Sequence, residues 1–117
     1  MSTLDIGTRA HTEVEALNEK DQENVNLHYR IKTVTEPVVC LSDIRFQNGP
    51  IQKAGANGIF NEDLICIVID RLKGLQSGDC ASIGNKNALY NLTEALANLR
   101  YRGKEPLRSG VEGTNTL

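Results

Sequence analysis

The feature that most constrains the fold is a change in apolar spacing near the middle of the chain. In residues 10–16 and 25–32, apolar and polar side chains alternate with a period of two, which is typical of half-buried strands, and residues 38–46 are predicted to form a third strand. In residues 62–75 and 85–102, apolar side chains instead recur at helical spacing. The sequence therefore predicts an α+β fold, with a small N-terminal antiparallel β-sheet followed by a two-helix antiparallel hairpin.

The length of 117 residues predicts a single domain. Its β-sheet part is expected at about residues 9–46, its helical hairpin at about 59–102 and a C-terminal tail at 103–117. A domain of this size buries only a modest core. We therefore expect the chain to gain stability by assembling as a homo-oligomer.

Residues 47–58 separate the two halves and contain three glycines and a proline, which indicates a loop. Gly49, Gly55 and Gly58 are predicted to adopt a positive φ, which glycine tolerates without steric cost. Asn61 precedes two acidic residues and is predicted to be the N-cap of the first helix.

Charge and hydropathy exclude several classes of partner. The chain has 13 basic and 15 acidic residues, so its net charge of −2 argues against binding DNA or RNA. It has no apolar run long enough for a membrane span and no apolar N-terminal segment typical of a signal peptide. We therefore expect a cytosolic protein with no membrane partner. Cys66 lies in an apolar run and is predicted to be a buried, inert thiol.

The residues favour binding over catalysis. The sequence has no phosphate-loop or dinucleotide motif and no local signature of a nucleophile paired with a base. His11 and His28 both lie on polar faces of predicted strands, without the spacing of a metal site. We therefore predict no enzyme activity, no catalytic residue, no bound metal and no cofactor.

Two groups of basic residues are candidates for binding an anion. Arg100, Arg102 and Arg108 cluster at and beyond the end of the second predicted helix, where arginine suits bidentate recognition of phosphate. Basic residues in a last helical turn also commonly just complement the helix dipole. Arg30 and Lys32 lie with His28 on one strand face, for which a solvated sheet surface is the alternative.

Six segments in residues 46–114 resemble a family of phage proteins. They are FQNGPI at 46–51, GANG at 55–58, NEDL at 61–64, IVIDRL at 67–72, LQSG at 75–78 and GVEGT at 110–114. Their order and spacing are similar to those of the anti-Thoeris sponges and the related anti-CBASS sponges. The strand-rich N-terminal part resembles the anti-Thoeris branch more closely.

The resemblance implies a function. Such proteins bind a cyclic ADP-ribose isomer without cleaving it. The ring of this isomer is closed by a glycosidic bond, and the TIR-domain enzyme of the infected bacterium makes the isomer. They assemble as dimers or hexamers, with the pocket between two protomers, in the host cytoplasm. A sponge for cyclic di- or trinucleotides and a protein-interaction module that binds no nucleotide are the alternatives. A hydrolase of the messenger is a further rival.

The resemblance also implies ligand-binding residues. Arg102 matches an arginine that contacts phosphate, and Asn85 matches an asparagine that contacts the ligand. Leu75 stands where the family has a stacking phenylalanine, so it keeps an apolar contact without an aromatic face. The family's next arginine is replaced by Pro106, and Arg108 is the nearby candidate for a second phosphate contact.

Overall fold

The computed structural model describes residues 2–5 and 10–102, the last of these by its backbone only. The chain forms two compact units, Met1–Ile59 and Phe60–Leu117. The first unit contains the β-sheet and the second contains two helices.

The strands of the first unit form one four-stranded sheet with every neighbouring pair antiparallel, as predicted. The strands are β1 (Ser2–Thr3), β2 (Thr12–Ala16), β3 (His28–Thr33) and β4 (Cys40–Arg45), and they lie in this order across the sheet. Three of them fall within or overlap the three strands predicted from the sequence. The sequence does not reveal β1, because two residues are too few to show a period.

The register of β2 and β3 separates an apolar face from a charged face. Val14 pairs with Ile31 on the first face, and Glu15 pairs with Arg30 on the second. On the apolar side, the rings of Tyr29 and Phe46 meet edge to face with centroids 5.7 Å apart, a geometry that adds to their burial. The alternation in the sequence thus corresponds to the two faces of the sheet, one apolar and one charged.

The glycine-rich segment after β4 is a loop that contains the short helix α1 (Ile51–Ala54). Gly49 and Gly55 adopt φ values of 87° and 72°, as predicted. The prediction for Gly58 is wrong, since its φ is not in the positive region. Gly58 is required for a different reason: a Cβ there would lie 2.4 Å from the carbonyl carbon of Phe46.

The second unit consists of α2 (Asn61–Gln76) and α3 (Ile83–Arg102), which pack against each other. The predicted N-cap of α2 is wrong by one residue, because Phe60 occupies the cap position. The Phe60 N–H donates to the Asp63 carboxylate over 2.8 Å, which is one half of a capping box.

The apolar stripe of α2 is wider than its contact with α3. Ile69 is the only buried residue of α2 among those described, whereas Ile67 is 57% and Val68 is 43% exposed. The predicted burial of the Cys66 thiol is therefore wrong, since this side chain is exposed. No helix in the described part of the chain is long and apolar enough to cross a membrane.

Candidate functional site

Two of the predicted ligand-binding residues lie on either side of the connection between α2 and α3. Leu75 is in the last turn of α2 and Asn85 is in the first turn of α3, and both side chains are half-buried. The structure thus places an apolar side chain and an amide at the two ends of one short connection, residues 77–82. This connection is the centre of the candidate site.

A chain of hydrogen bonds crosses this connection. The Ser82 N–H donates to Gln76 Oε1 over 2.8 Å, and the Asn85 N–H donates to Ser82 Oγ over 3.0 Å. Asn85 Nδ2 in turn donates to the carbonyl oxygen of Cys80 over 3.2 Å. Ser82 is therefore the N-cap of α3, and the Asn85 side chain is held by the connection itself.

Sequence reasoning missed the roles of Gln76 and Ser82. The predicted helix began at Asn85, but α3 begins at Ile83. A serine three residues before a polar amide is a recognisable helix start. The signal was weak here because Gly84 lies in the first turn, where it lowers helix propensity.

Arg102 lies far from the other two predicted residues. With its 20 residues, α3 spans about 30 Å, and Asn85 and Arg102 lie near its opposite ends. One protomer therefore does not bring the amide and this arginine together along the helix. Arg108, the other predicted phosphate contact, lies outside the described residues, as does the side chain of Arg102.

On the sheet unit, His28 is held between two carboxylates. Its ring is only 2% exposed, its Nδ1 lies 2.8 Å from Glu19 Oε2, and its Nε2 is hydrogen-bonded to Asp43. The hydrogen bond that the ring donates to Glu19, followed by the one to Asp43, raises the pKa of His28 above its ordinary value. The same bonds from His28 lower the pKa values of Glu19 and Asp43. The three side chains thus form a charged clamp that joins the β2–β3 connection to β4.

The basic residues of the sheet face are paired with acids. Lys32 Nζ lies 2.7 Å from Glu15 and 3.6 Å from Glu13, and its hydrogen bond to Glu15 raises the pKa of Lys32. Arg30 Nε lies 3.9 Å from Asp43. The alternative of a solvated sheet surface does not hold at His28, because the two carboxylates enclose its ring. This face therefore offers a phosphate little unneutralised positive charge.

The loop after β4 is closed by side-chain amides. Gln47, which is buried, donates from Nε2 to the carbonyl oxygens of Gly49 and Gly55 and accepts the Asn57 N–H at Oε1. Asn57 exchanges two further hydrogen bonds with the backbone of Asn48. These bonds satisfy the polar groups of the loop within the loop itself. The segments FQNGPI and GANG, which resemble the phage family, therefore have a structural role here.

No group of three or more metal-ligating side chains occurs among the residues described. Together, the sheet, the packed helices and the amide-bearing connection define a small α+β protein whose candidate ligand contacts lie on its helices.

The chain is similar in sequence to a known phage protein. No family model matches the chain. The chain is 44% identical over 75 residues to Thoeris anti-defense 1 of Bacillus phage SBSphiJ7, a match that covers 64% of the chain and 53% of the relative. The chain therefore spans about half the length of this curated relative. The match confirms the resemblance to anti-Thoeris phage proteins.

Proposed function

We propose that the chain sequesters a cyclic ADP-ribose isomer without cleaving it, and thereby blocks TIR-based Thoeris defence in the cytoplasm of the infected bacterium. The observation that carries this proposal is the 44% identity with Thoeris anti-defense 1. The ligand combines a pyrophosphate with a base and ribose hydroxyls. In this proposal Arg102 binds phosphate, Asn85 bonds ribose or base, Leu75 lines the base pocket and Arg108 gives a second phosphate contact.

The length of α3 supports a pocket formed by two chains. Asn85 and Arg102 lie near opposite ends of a helix that spans about 30 Å, which is too far for one compact nucleotide to bridge. If two protomers pair their helices in opposite directions, the Asn85 end of one helix meets the Arg102 end of the other. A pocket between subunits also encloses the ligand, which tight binding requires.

Exposed apolar side chains on the helices support self-association. Ile67, Ile83 and Tyr90 are 57%, 77% and 65% exposed, and apolar surface of this kind is typical of a protein interface when it is contiguous. The assembly proposed is a dimer or hexamer. The same side chains favour the second candidate function, a protein-interaction module that binds no nucleotide.

The state of His28 supports binding without cleavage. Both ring nitrogens are already bonded to carboxylates and the ring is 2% exposed. A general acid or base must reach the proton that it transfers, and this histidine is enclosed. His28 is therefore not available for proton transfer, and in this proposal the ligand is released unchanged.

The first test is calorimetric titration with cyclic ADP-ribose isomers, followed by heat denaturation and chromatography of the released ligand. A charge-assisted hydrogen bond contributes roughly 1.5–3 kcal/mol, so Arg102→Ala should weaken binding by about tenfold or more. Arg45→Ala, which removes the same charge from an exposed position of the sheet unit, is the matched control and should bind almost normally. Recovery of an altered ligand would replace the sponge with a hydrolase, and binding of cyclic di- or trinucleotides alone would identify the other sponge class.

A complementation experiment tests the shared pocket. Asn85→Ala and Arg102→Ala chains are purified separately and then co-refolded as a mixture. In a two-chain pocket, half of the dimers in an equimolar mixture are mixed and each mixed dimer contains one site with both native residues, so binding returns to about a quarter of all sites. If one chain supplies the whole pocket, the mixture binds no better than the two variants alone.

A further inference from the structure

The N-cap of α3 departs from the usual capping box in one respect. In a capping box, the side chain at the third helical position accepts the N–H of the cap residue. Here the cap is Ser82 and the third position is Asn85, but the Ser82 N–H donates to Gln76 Oε1 of the preceding helix, over 2.8 Å. Gln76 thus takes the role that Asn85 would have in an ordinary capping box.

The orientation of the Asn85 amide follows from its other partner. A carbonyl oxygen only accepts hydrogen bonds, so the group facing Cys80 O over 3.2 Å must be Nδ2. Oδ1 then points away from this bond, and no donor among the described residues reaches it. The amide therefore presents a free acceptor beside the connection.

We propose that Gln76 is a positioning residue for the ligand site: by accepting the Ser82 N–H, it leaves Asn85 Oδ1 free to accept a hydrogen bond from a hydroxyl or amino group of the nucleotide. This inference rests on the proposed function, because it assigns a role within the same site. Gln76 itself does not touch the ligand.

Loss of the Gln76 acceptor has a defined consequence. The Ser82 N–H then lacks a partner, and the nearest replacement in a capping box is Asn85 Oδ1. The Asn85 side chain turns toward the cap and breaks its bond with Cys80 O. The free acceptor is lost even though Asn85 is still present.

The test combines Gln76→Leu with Asn85→Ala in a double-mutant cycle. Gln76→Leu should weaken binding of the cyclic ADP-ribose isomer by about tenfold, the effect of one hydrogen bond. In the Asn85→Ala background, Gln76→Leu should have almost no further effect, because Gln76 acts through that amide. Additive losses in the double variant would overturn the proposal. Ser77→Ala is the matched control, since it removes only the Ser77 Oγ bond to Gly74 O in the same connection.

A spectroscopic measurement on the free protein separates this inference from the proposed function. In nitrogen-15 NMR spectra, the side-chain amide signals of Asn85 should shift in Gln76→Leu and stay in place in Gln76→Glu, which keeps an acceptor for the Ser82 N–H. Unchanged signals in Gln76→Leu would overturn the positioning role without any ligand. If the wild type binds no isomer but these signals shift, the proposed function fails while the hydrogen-bond geometry stands. Thermal melts of each variant confirm that it is folded.

Discussion

The two units of this protein differ in the kinds of side chain that they bury. In the sheet unit, the buried residues include the polar side chains Glu15, His28 and Gln47. In the helical unit, Ile69 is buried while Ile67 and its neighbours are exposed. A buried polar group is tolerated only when it is hydrogen-bonded, so the sheet unit depends on specific bonds. Both units also leave apolar side chains exposed, among them Leu41 in the sheet unit and Ile67 in the helical unit.

Under the proposed function, the two units also have different roles. The sheet unit satisfies its polar groups internally, through the clamp at His28 and the amide bonds of Gln47. The helical unit carries the candidate ligand residues and the surface that favours self-association. Changes in the sheet unit should therefore act mainly on stability, and changes in the helical unit mainly on assembly and binding.

The largest effect is expected for Gly58→Ala in the sheet unit. The added Cβ would lie 2.4 Å from Phe46 C, and relieving that clash would separate the backbone of residues 58 and 59 from β4. We expect a loss of about 3 kcal/mol in the free energy of unfolding, measured by urea denaturation. A variant as stable as the wild type would show that the loop closes without this close approach.

The next effect is expected for Ile67→Glu in the helical unit. Charge at a central interface position commonly weakens association by about 2 kcal/mol or more, which is roughly thirtyfold in the dissociation constant. Sedimentation velocity over a dilution series should therefore show smaller species than for the wild type. Val25→Glu, at a residue 53% exposed in the sheet unit, is the control and should leave the assembly intact. Equal disruption by both variants would remove the contrast between the units.

A pH effect of moderate size is expected in the sheet unit. Folding raises the pKa of His28. The contribution of this residue to stability is therefore complete below its ordinary pKa of about 6.5 and is lost as the pH rises through the raised pKa. Because folding lowers the pKa values of Glu19 and Asp43, their contribution is present above about pH 4 and is lost as the pH falls through the lowered values. Stability of this unit should be highest between about pH 4 and 6.5.

Urea midpoints measured across this range check the prediction, with His28→Gln as the comparison. This variant cannot carry the imidazolium charge, so its stability should fall less steeply than that of the wild type as the pH rises above about 6.5. Arg45, which opposes the rise in the pKa of His28, remains in both proteins. If the stability of His28→Gln falls as steeply with rising pH as that of the wild type, a group other than His28 causes the fall.

The smallest effect is expected for Gly74→Ala in α2. A Cβ at this position meets no atom within 4 Å, and alanine is favoured over glycine inside a helix by up to about 1 kcal/mol. This substitution should raise the thermal midpoint of the helical unit slightly, in contrast to the loss at Gly58. A decrease would show that a partner chain covers Gly74.

Local patterns predicted the elements well. Helical spacing placed α2 and α3 within two residues of their observed ends, alternation placed β2 and β3, and the apolar segment after Pro37 placed β4. The role of Gly58 could not be predicted, because it depends on the approach of a backbone segment twelve positions earlier in the chain. The burial of His28 also depends on distant residues, Glu19 and Asp43.

The candidate site was predicted in part. The resemblance identified Leu75 and Asn85, and the structure places them on the two sides of one connection. The separation of Asn85 and Arg102 follows from the length of the predicted helix alone, and supports a pocket shared by two chains. Gln76 was missed because its partner, the Ser82 N–H, is a backbone group, which a search for functional side chains does not consider.

The closed loop after β4 has a consequence for amide hydrogen exchange. Its residues lie mostly at the surface, and a solvent-exposed loop ordinarily exchanges its amide hydrogens quickly. Here the amides of Asn48 and Asn57 are bonded to side chains within the loop, and that of Gln47 is bonded to the Ile59 carbonyl. These hydrogens should exchange on the timescale of the β-strands, so that a segment between two regular elements behaves as part of the sheet.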